Sequence, residues 1–193
     1  MAGAQPATAL LDENVYANTA PADPAQFEAL LQYVHVPAWA PEQAAQVPPF
    51  FAQAMYELPP NHPARQHALV LGPGEVTLLI GQSAMGWWRA HTASNAVGWV
   101  HQFCLKDLGF DQTQFDACLA GIPRPPGPVE VAPQLRPFQA KIVRGSRAND
   151  VPVQPEQVVW VAREGGGGWW GVVDAASNQL GYVHKYCLMF ATM

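Results

Sequence analysis

The sequence predicts a mainly β fold in two similar halves, preceded by an N-terminal helical segment. A repeat is the first observation behind this prediction: residues 98–105 read GWVHQFCL, and residues 181–188 read GYVHKYCL. The second observation is a series of short runs rich in β-branched and aromatic residues, bounded by Gly, Ser and Asn. Such runs at turn-rich spacing are typical of a small barrel or sandwich.

Composition bounds the classes of protein that are compatible with the chain. Its 193 residues fit one large domain or two small ones. A net charge of -5 argues against nucleic-acid partners, which are bound through Lys and Arg. The sequence contains no apolar run of about 18 residues, so we expect no membrane span. The three cysteines are an odd number and no secretory signal is visible, so we expect reduced thiols in the cytoplasm.

Residues 1–51 are predicted to form a loose tail followed by a helical segment. Asp23 is a suitable N-cap, Pro24 fits the first helical position, and Gln26 completes a capping box. Apolar residues then recur at helical spacing until a proline ends the pattern. We therefore expect a helix over 24–35.

Two barrels are predicted, over 52–109 and 138–193. Strand-like runs in the first are 75–80, 87–92 and 98–101, and those in the second are 158–162, 169–174 and 181–184. The second set repeats the order of the first. The Ser-Asn pairs at 94–95 and 177–178 mark hairpin turns, where Asn tolerates a positive φ. The GGGG run at 165–168 is expected at another hairpin tip.

Residues 110–137 are predicted to join the barrels through a short helix near 111–119 and a Pro-rich linker. The linker reads GIPRPPGPVEVAPQLRP, a composition typical of a semi-rigid spacer. Its PRPP run leaves two alternatives open. It folds back into the groove of the first barrel, or it is bound by a groove of another protein.

Both predicted barrels resemble Src-homology-3 domains. The resemblance rests on the double Trp at 87–88 and 169–170, a polar hairpin, and a following Gly-aromatic-Val. AMYEL at 54–58 extends it in the first barrel. The resemblance implies two five-stranded bent barrels without a cofactor, and a groove of aromatic rings that binds polyproline segments of other proteins. The GWVH run is also similar to bacterial Src-homology-3-like modules.

Carried over residue by residue, the resemblance implies an incomplete groove in both barrels. Trp87 and Trp169 match the groove Trp, and Tyr56 matches one of the two opening tyrosines, whereas Ile142 and Arg144 replace both in the second barrel. His and Cys stand where the family has Pro and Tyr, and the first long loops lack an acidic cluster. The candidate partner-binding residues are Tyr56, Trp87, His101, Cys104, Trp169, His184 and Cys187.

Two sharper hypotheses concern the repeated His and Cys. Two His-x-x-Cys pairs offer the nitrogen and sulfur set of a zinc site, but zinc ligands normally come in close pairs within one small unit, so we expect no metal. A nucleophilic Cys104 activated by His101 or His91 is the enzyme hypothesis. No phosphate loop, carboxylate pair or nucleophile elbow accompanies it, so we expect a non-enzymatic protein.

Strand alternation makes a further prediction for the double tryptophans. Neighbouring residues on a strand face opposite sides, so one Trp of each pair should be buried and the other exposed or covered by a partner. The alternative is a ring half covered by the loops of its own barrel. The exposed ring would be the better partner-binding candidate, because aromatic rings are enriched at hot spots.

These observations favour a non-catalytic adaptor or scaffold subunit of a larger assembly. Its partners are expected to be other proteins, and its location cytoplasmic, with a cytoskeletal assembly as one candidate setting. One alternative is a conventional adaptor for proline-rich peptides that acts through Tyr56 and Trp87. A bacterial-type wall- or ligand-binding module is the less favoured alternative because it requires export. The sequence leaves open whether the barrels pack together.

Overall fold

The protein is mainly β, with two five-stranded antiparallel sheets and a short N-terminal helix, as the sequence predicts. The computed structural model describes residues 20–35, 44–83, 85–174 and 176–190. The predicted tail therefore lies largely outside the described residues.

In the described residues, each half of the chain contributes one α-helix and five strands. The first half contains α1 (Pro24–Leu30), β1 (Ala45–Ala54), β2 (Val76–Gln82), β3 (Trp87–Thr92), β4 (Val97–His101) and β5 (Leu105–Gly109). The second half contains α2 (Gln112–Ala120), β6 (Gln134–Ile142), β7 (Val158–Gly166), β8 (Trp169–Val173), β9 (Leu180–His184) and β10 (Leu188–Phe190). The strand orders are β4-β3-β2-β1-β5 and β9-β8-β7-β6-β10, so the two sheets have the same topology.

The strand that opens each barrel begins earlier than the predicted boundaries of 52 and 138. β1 and β6 begin at Ala45 and Gln134, and the pairing of each with its neighbour shifts register near its start. A bulge lets a strand contain prolines, which cannot donate to the ladder. Prolines 48, 49 and 137 lie in these irregular stretches, and they obscure the strand pattern in the sequence.

Both helices lie where the sequence predicts them, and each begins after a capping aspartate. The Asp23 carboxylate accepts the backbone N–H of Gln26 at 2.8 Å, and the Asp111 carboxylate accepts that of Gln114 at 2.7 Å. The predicted helix 24–35 is α-helical to Leu30 and continues as one 3-10 turn.

The sequence repeat extends further upstream than its barrel residues suggest. Counted from the two N-cap aspartates, Gln26 matches Gln114, and Phe27 matches Phe115, and both phenylalanines are buried. The repeating unit is therefore a helix, an extended segment and a barrel. We call these the first unit (residues 20–109) and the second unit (residues 111–190).

The hairpin turns confirm the predicted roles of Asn and Gly. Asn95 and Asn178 have φ values of 62° and 54°, in the left-handed region that Asn tolerates. Gly166 to Gly168 all have positive φ, and they form the turn between β7 and β8.

The two units pack together through α2 and β1. Buried Phe115 and Leu119 of α2 share one hydrophobic cluster with Leu78 of the first barrel. The Arg144 guanidinium lies 4.2 Å from the centre of the Phe110 ring, and its Nε donates to the carbonyl of Pro49 at 3.3 Å. None of the helices in the described part of the chain has the length and hydrophobicity that a membrane crossing requires.

Candidate functional site

Both groove tryptophans are buried, and each is hydrogen bonded to the chain just upstream of its own barrel. The indole Nε1 of Trp87 donates to the carbonyl of His35 at 3.1 Å, and that of Trp169 donates to the carbonyl of Pro123 at 3.0 Å. His35 and Pro123 occupy equivalent positions after the two N-caps. We call residues 20–35 and 121–128 the first and second covering segments.

The first covering segment lies on Tyr56, the other ring of the first groove. Phe27 stacks on Tyr56 with ring centres 4.5 Å apart and planes 12° from parallel. The Tyr56 hydroxyl donates to the carbonyl of Pro21 at 3.2 Å. His62, from the first long loop, contacts the Leu31 carbonyl through Nε2 at 3.3 Å. Tyr56 is half-buried as a result.

The Pro-rich linker lies on the second groove, so the expectation that it is only a spacer is wrong. The Arg124 guanidinium sits 4.9 Å from the centre of the Trp169 ring and forms an ion pair with Asp150. A Cβ added to Gly165 would lie 2.8 Å from Cγ of Pro125, so the linker runs close against this strand. The linker thus folds back as one alternative proposed, but onto the second barrel rather than the first.

The backbone register corrects one residue match between the two grooves. Tyr56 N donates to the carbonyl of Cys104, and Arg144 N donates to that of Cys187, so Arg144 stands where the first groove has Tyr56. Ile142 does not replace Tyr56, because it is a fully buried core residue. Arg144 turns toward the first unit instead of the second groove.

His101 and His184 are packed behind the groove tryptophans rather than on the groove surface. Each imidazole meets its Trp edge-on, with ring centres 5.1 and 5.0 Å apart. Each Nδ1 accepts a backbone N–H at the start of the following 3-10 turn, at 3.3 Å. Burial lowers the pKa of His101 to about 4 and that of His184 to about 3, so both rings are neutral at neutral pH.

Cys104 and Cys187 are buried in the cores of their barrels. Burial raises the pKa of each thiol to about 12. The Asn149 amide donates to Sγ of Cys187 at 3.4 Å. A protonated thiol is a weak nucleophile and a weak metal ligand, so these residues act as framework. Residues 20–35, 44–83, 85–174 and 176–190 contain no cluster of three or more His, Cys, Asp or Glu arranged to hold a metal.

A thiol–imidazole contact joins Cys118 to His91, a pair that sequence spacing does not indicate. Sγ of Cys118 on α2 lies 3.4 Å from Nδ1 of His91 on β3. The enzyme hypothesis placed His91 beside Cys104, but α2 brings Cys118 there instead. Burial raises the pKa of Cys118 and lowers that of His91, so the pair is neutral. The pair lies in the contact between the two units.

Neither Trp88 nor Trp170 is exposed, and each ring is covered by its own barrel, as the alternative interpretation of the double tryptophans expects. Trp88 is buried and packs edge-on against Phe50 at 5.2 Å between ring centres. Trp170 is half-buried and packs against Phe138 and Phe190 at 6.1 and 5.8 Å. Phe50 and Phe138 are equivalent residues of the opening strands. Their rings cover the strand face that alternation predicts to be exposed.

Comparisons with known proteins give little further information. No model of a known protein family matches the chain, and no curated protein is similar to it in sequence. Two solved structures that match are those of NlpC1 and NlpC2 from Trichomonas vaginalis, at 9% and 14% identity and TM-scores of 0.25 and 0.26. The matches cover 82% and 77% of this chain and 51% and 50% of those chains. This chain thus spans about half the length of either protein, and such low scores carry no argument about function.

Proposed function

We propose that the protein is a non-catalytic interaction module, an adaptor or scaffold subunit whose two polyproline-type grooves are filled by its own chain. One observation carries the proposal: Trp87 and Trp169 donate to equivalent carbonyls of the two covering segments. The partners are other proteins, and they bind surfaces other than the grooves. A cytoplasmic location, with a cytoskeletal assembly as one setting, belongs to the same proposal.

An external proline-rich peptide has to displace a tethered competitor in either groove. A segment joined by a short linker has an effective concentration in the millimolar range. The first covering segment also buries Phe27 in the barrel core, and the free energy of burying this ring further stabilises the covered state. Peptides with micromolar intrinsic affinity therefore bind the intact chain only weakly.

The protonation states of the buried groups support the non-catalytic part of the proposal. Cys104 and Cys187 hold their protons far above neutral pH, and His101 and His184 resist protonation. A thiol without a thiolate, next to an imidazole without access to substrate, is not an activated nucleophile.

Peptide titration followed by NMR of the indole N–H signals tests the proposal. The full chain is titrated with a library of proline-rich peptides, and the signals are assigned with Trp87→Phe and Trp169→Phe, which keep a ring but lose the donor. We expect no peptide to bind tighter than about 100 µM, which corresponds to about 5.5 kcal/mol. Tighter binding that shifts either indole signal and is lost in the matching Phe variant would overturn the proposal.

A second candidate function, an autoinhibited adaptor for proline-rich peptides, is favoured by the contacts of Arg124. This residue stacks on Trp169 and pairs with Asp150, as an Arg beside the prolines of a bound peptide would. Under this candidate, Arg124→Ala loosens the cover, and a PRPP-containing peptide binds the variant at least tenfold tighter than the wild type. Arg136→Ala, a change at an exposed arginine of β6 outside the second covering segment, is the matched control.

Equal, weak binding by the wild type and both variants would eliminate this second candidate while leaving the first in place. The remaining alternative, a bacterial-type wall- or ligand-binding module, stays a prediction.

A further inference from the structure

The first unit packs against the second through the outer face of β2. Val76, Leu78 and Ile80 alternate along this strand, and all three pack into the cluster shared with α2. Leu78 is 1% exposed. Its cross-strand neighbour is His91, whose ring meets Tyr186 of the second unit at 5.5 Å between centres.

The second unit carries the equivalent face on β7, and within the described part of the chain two large side chains of that face are exposed. Leu78 pairs with His91, four residues after Trp87, and Trp160 pairs with Val173, four residues after Trp169, so the two pairs are equivalent. Trp160 is 41% exposed and Val158 is 50% exposed. We call the set Val158, Trp160, Ala162 and Val173 the β7 face.

Two elements of the second unit cover the β2 face: one helix and one aromatic ring. Cys118 of α2 reaches His91, and Asn95 donates to the carbonyl of Gly121 at the end of α2, at 3.0 Å. Tyr186, in the 3-10 turn after β9, supplies the ring. The β2 face thus fits a helix and a closing turn side by side.

The first unit presents the same two elements, and among residues 20–35, 44–83, 85–174 and 176–190 no second strand face packs on them as the β2 face packs on α2. Counted from the N-caps, Leu30 matches Cys118, and Tyr33 matches Gly121. Tyr33 is 61% exposed, and Leu30 is half-buried. Phe103 stands in the turn after β4 where the second unit has Tyr186, and it is also half-buried. We call Leu30, Tyr33 and Phe103 the α1 face.

We propose that the β7 face of one molecule binds the α1 face of a second copy of this chain, head to tail. The contact repeats between molecules the interface that already joins the two units within one molecule. The occupant is therefore specified by continuity with an interface that the structure contains. Because the two faces differ, the contact is heterologous, and it extends into chains or closes into a ring.

Sedimentation velocity on the full chain from about 10 µM to 1 mM tests the proposal. The range extends to high concentration because an interface made by a few side chains is expected to be weak. We expect the average mass to rise with concentration above that of the monomer. Trp160→Glu and Tyr33→Glu, each on an exposed side chain, should each block growth. Val70→Glu is the control, because Val70 is 53% exposed and belongs to neither face. Circular dichroism checks folding, and Val158→Lys replaces Trp160→Glu if that variant unfolds.

Mixing the two variants gives the decisive result. Trp160→Glu keeps its α1 face, and Tyr33→Glu keeps its β7 face, so an equimolar mixture should form a dimer that grows no further. A wild type that stays monomeric at 1 mM overturns the proposal. So does a mixture that fails to pair, or growth that persists in either variant. Sedimentation measures self-association, whereas peptide titration of the full chain measures binding in the two Trp grooves, so failure of this proposal leaves the proposed function untouched.

Discussion

Lowering the pH from 7.5 to 5 is expected to destabilise the protein through His101 and His184. Their pKa values lie at about 4 and about 3, below the ordinary 6.5, because burial disfavours the charged ring. At a pH between these values and 6.5, the two histidines are protonated in the unfolded chain but stay neutral in the folded chain. The stability contributed by the neutral rings is thus fully present above pH 6.5 and is lost as the pH falls toward 3–4.

The expected loss follows from the two pKa differences. Proton linkage gives about 2 kcal/mol for each histidine at pH 5, and about 4 kcal/mol for both. A domain of this kind has a free energy of unfolding of about 5–15 kcal/mol. Burial also lowers the pKa of His91, which adds to the loss in the same direction.

Urea unfolding at pH 7.5, 6 and 5, followed by Trp fluorescence, measures this loss. His101→Asn and His184→Asn keep a side-chain acceptor for the turn N–H but remove the titrating ring. Each should be less stable at pH 7.5, and each should lose about 2 kcal/mol less than the wild type on going to pH 5. Exposed His67→Asn is the matched control. An unfolding free energy that stays flat between pH 7.5 and 5 would refute the reasoning.

Three further predictions concern the second unit and the thiols. Asn149→Ala should lower the free energy of unfolding by about 1–3 kcal/mol, because the side-chain oxygen of Asn149 accepts the backbone N–H of His184 at 3.1 Å in the core. An unchanged urea midpoint would contradict this. Gly181→Ala should cost about 1–3 kcal/mol in the same assay, since its Cβ would lie 2.6 Å from Cγ2 of Val151. Cys118 should react first with a thiol reagent in the native state, because the other two cysteines are buried. Mass spectrometry of labelled peptides identifies the site, and equal labelling of all three would argue against the packing described.

Local patterns in the sequence predict the barrel strands and both helices. The runs at 87–92 and 98–101 match β3 and β4, and the capping Asp23 marks the start of α1, because each signal depends on residues close in the chain. The start of β1 at Ala45 is missed because Pro48 and Pro49 hide its pattern.

The sequence does not predict that the covering segments fill the two grooves. Trp87 meets His35 across 52 residues, and Trp169 meets Pro123 across 46, and neither pairing has a local signal. The repeat draws attention to its His and Cys, but their neutral, buried state depends on rings that pack around them. One usable signal was overlooked, since aligning the two helices by Asp23 and Asp111 brings the covering segments into register.

Each covering segment precedes its groove in the chain, and this order has a consequence for synthesis on the ribosome. The segment around His35 leaves the exit tunnel before β3 exists, so it waits without its partner until Trp87 has emerged. The second unit repeats the situation, and its α2 meanwhile has a completed first barrel on which to dock. Phe27 of a nascent first unit thus lacks its packing partners until the barrel closes, whereas Phe115 and Leu119 of the second unit can pack on a first barrel that is already made.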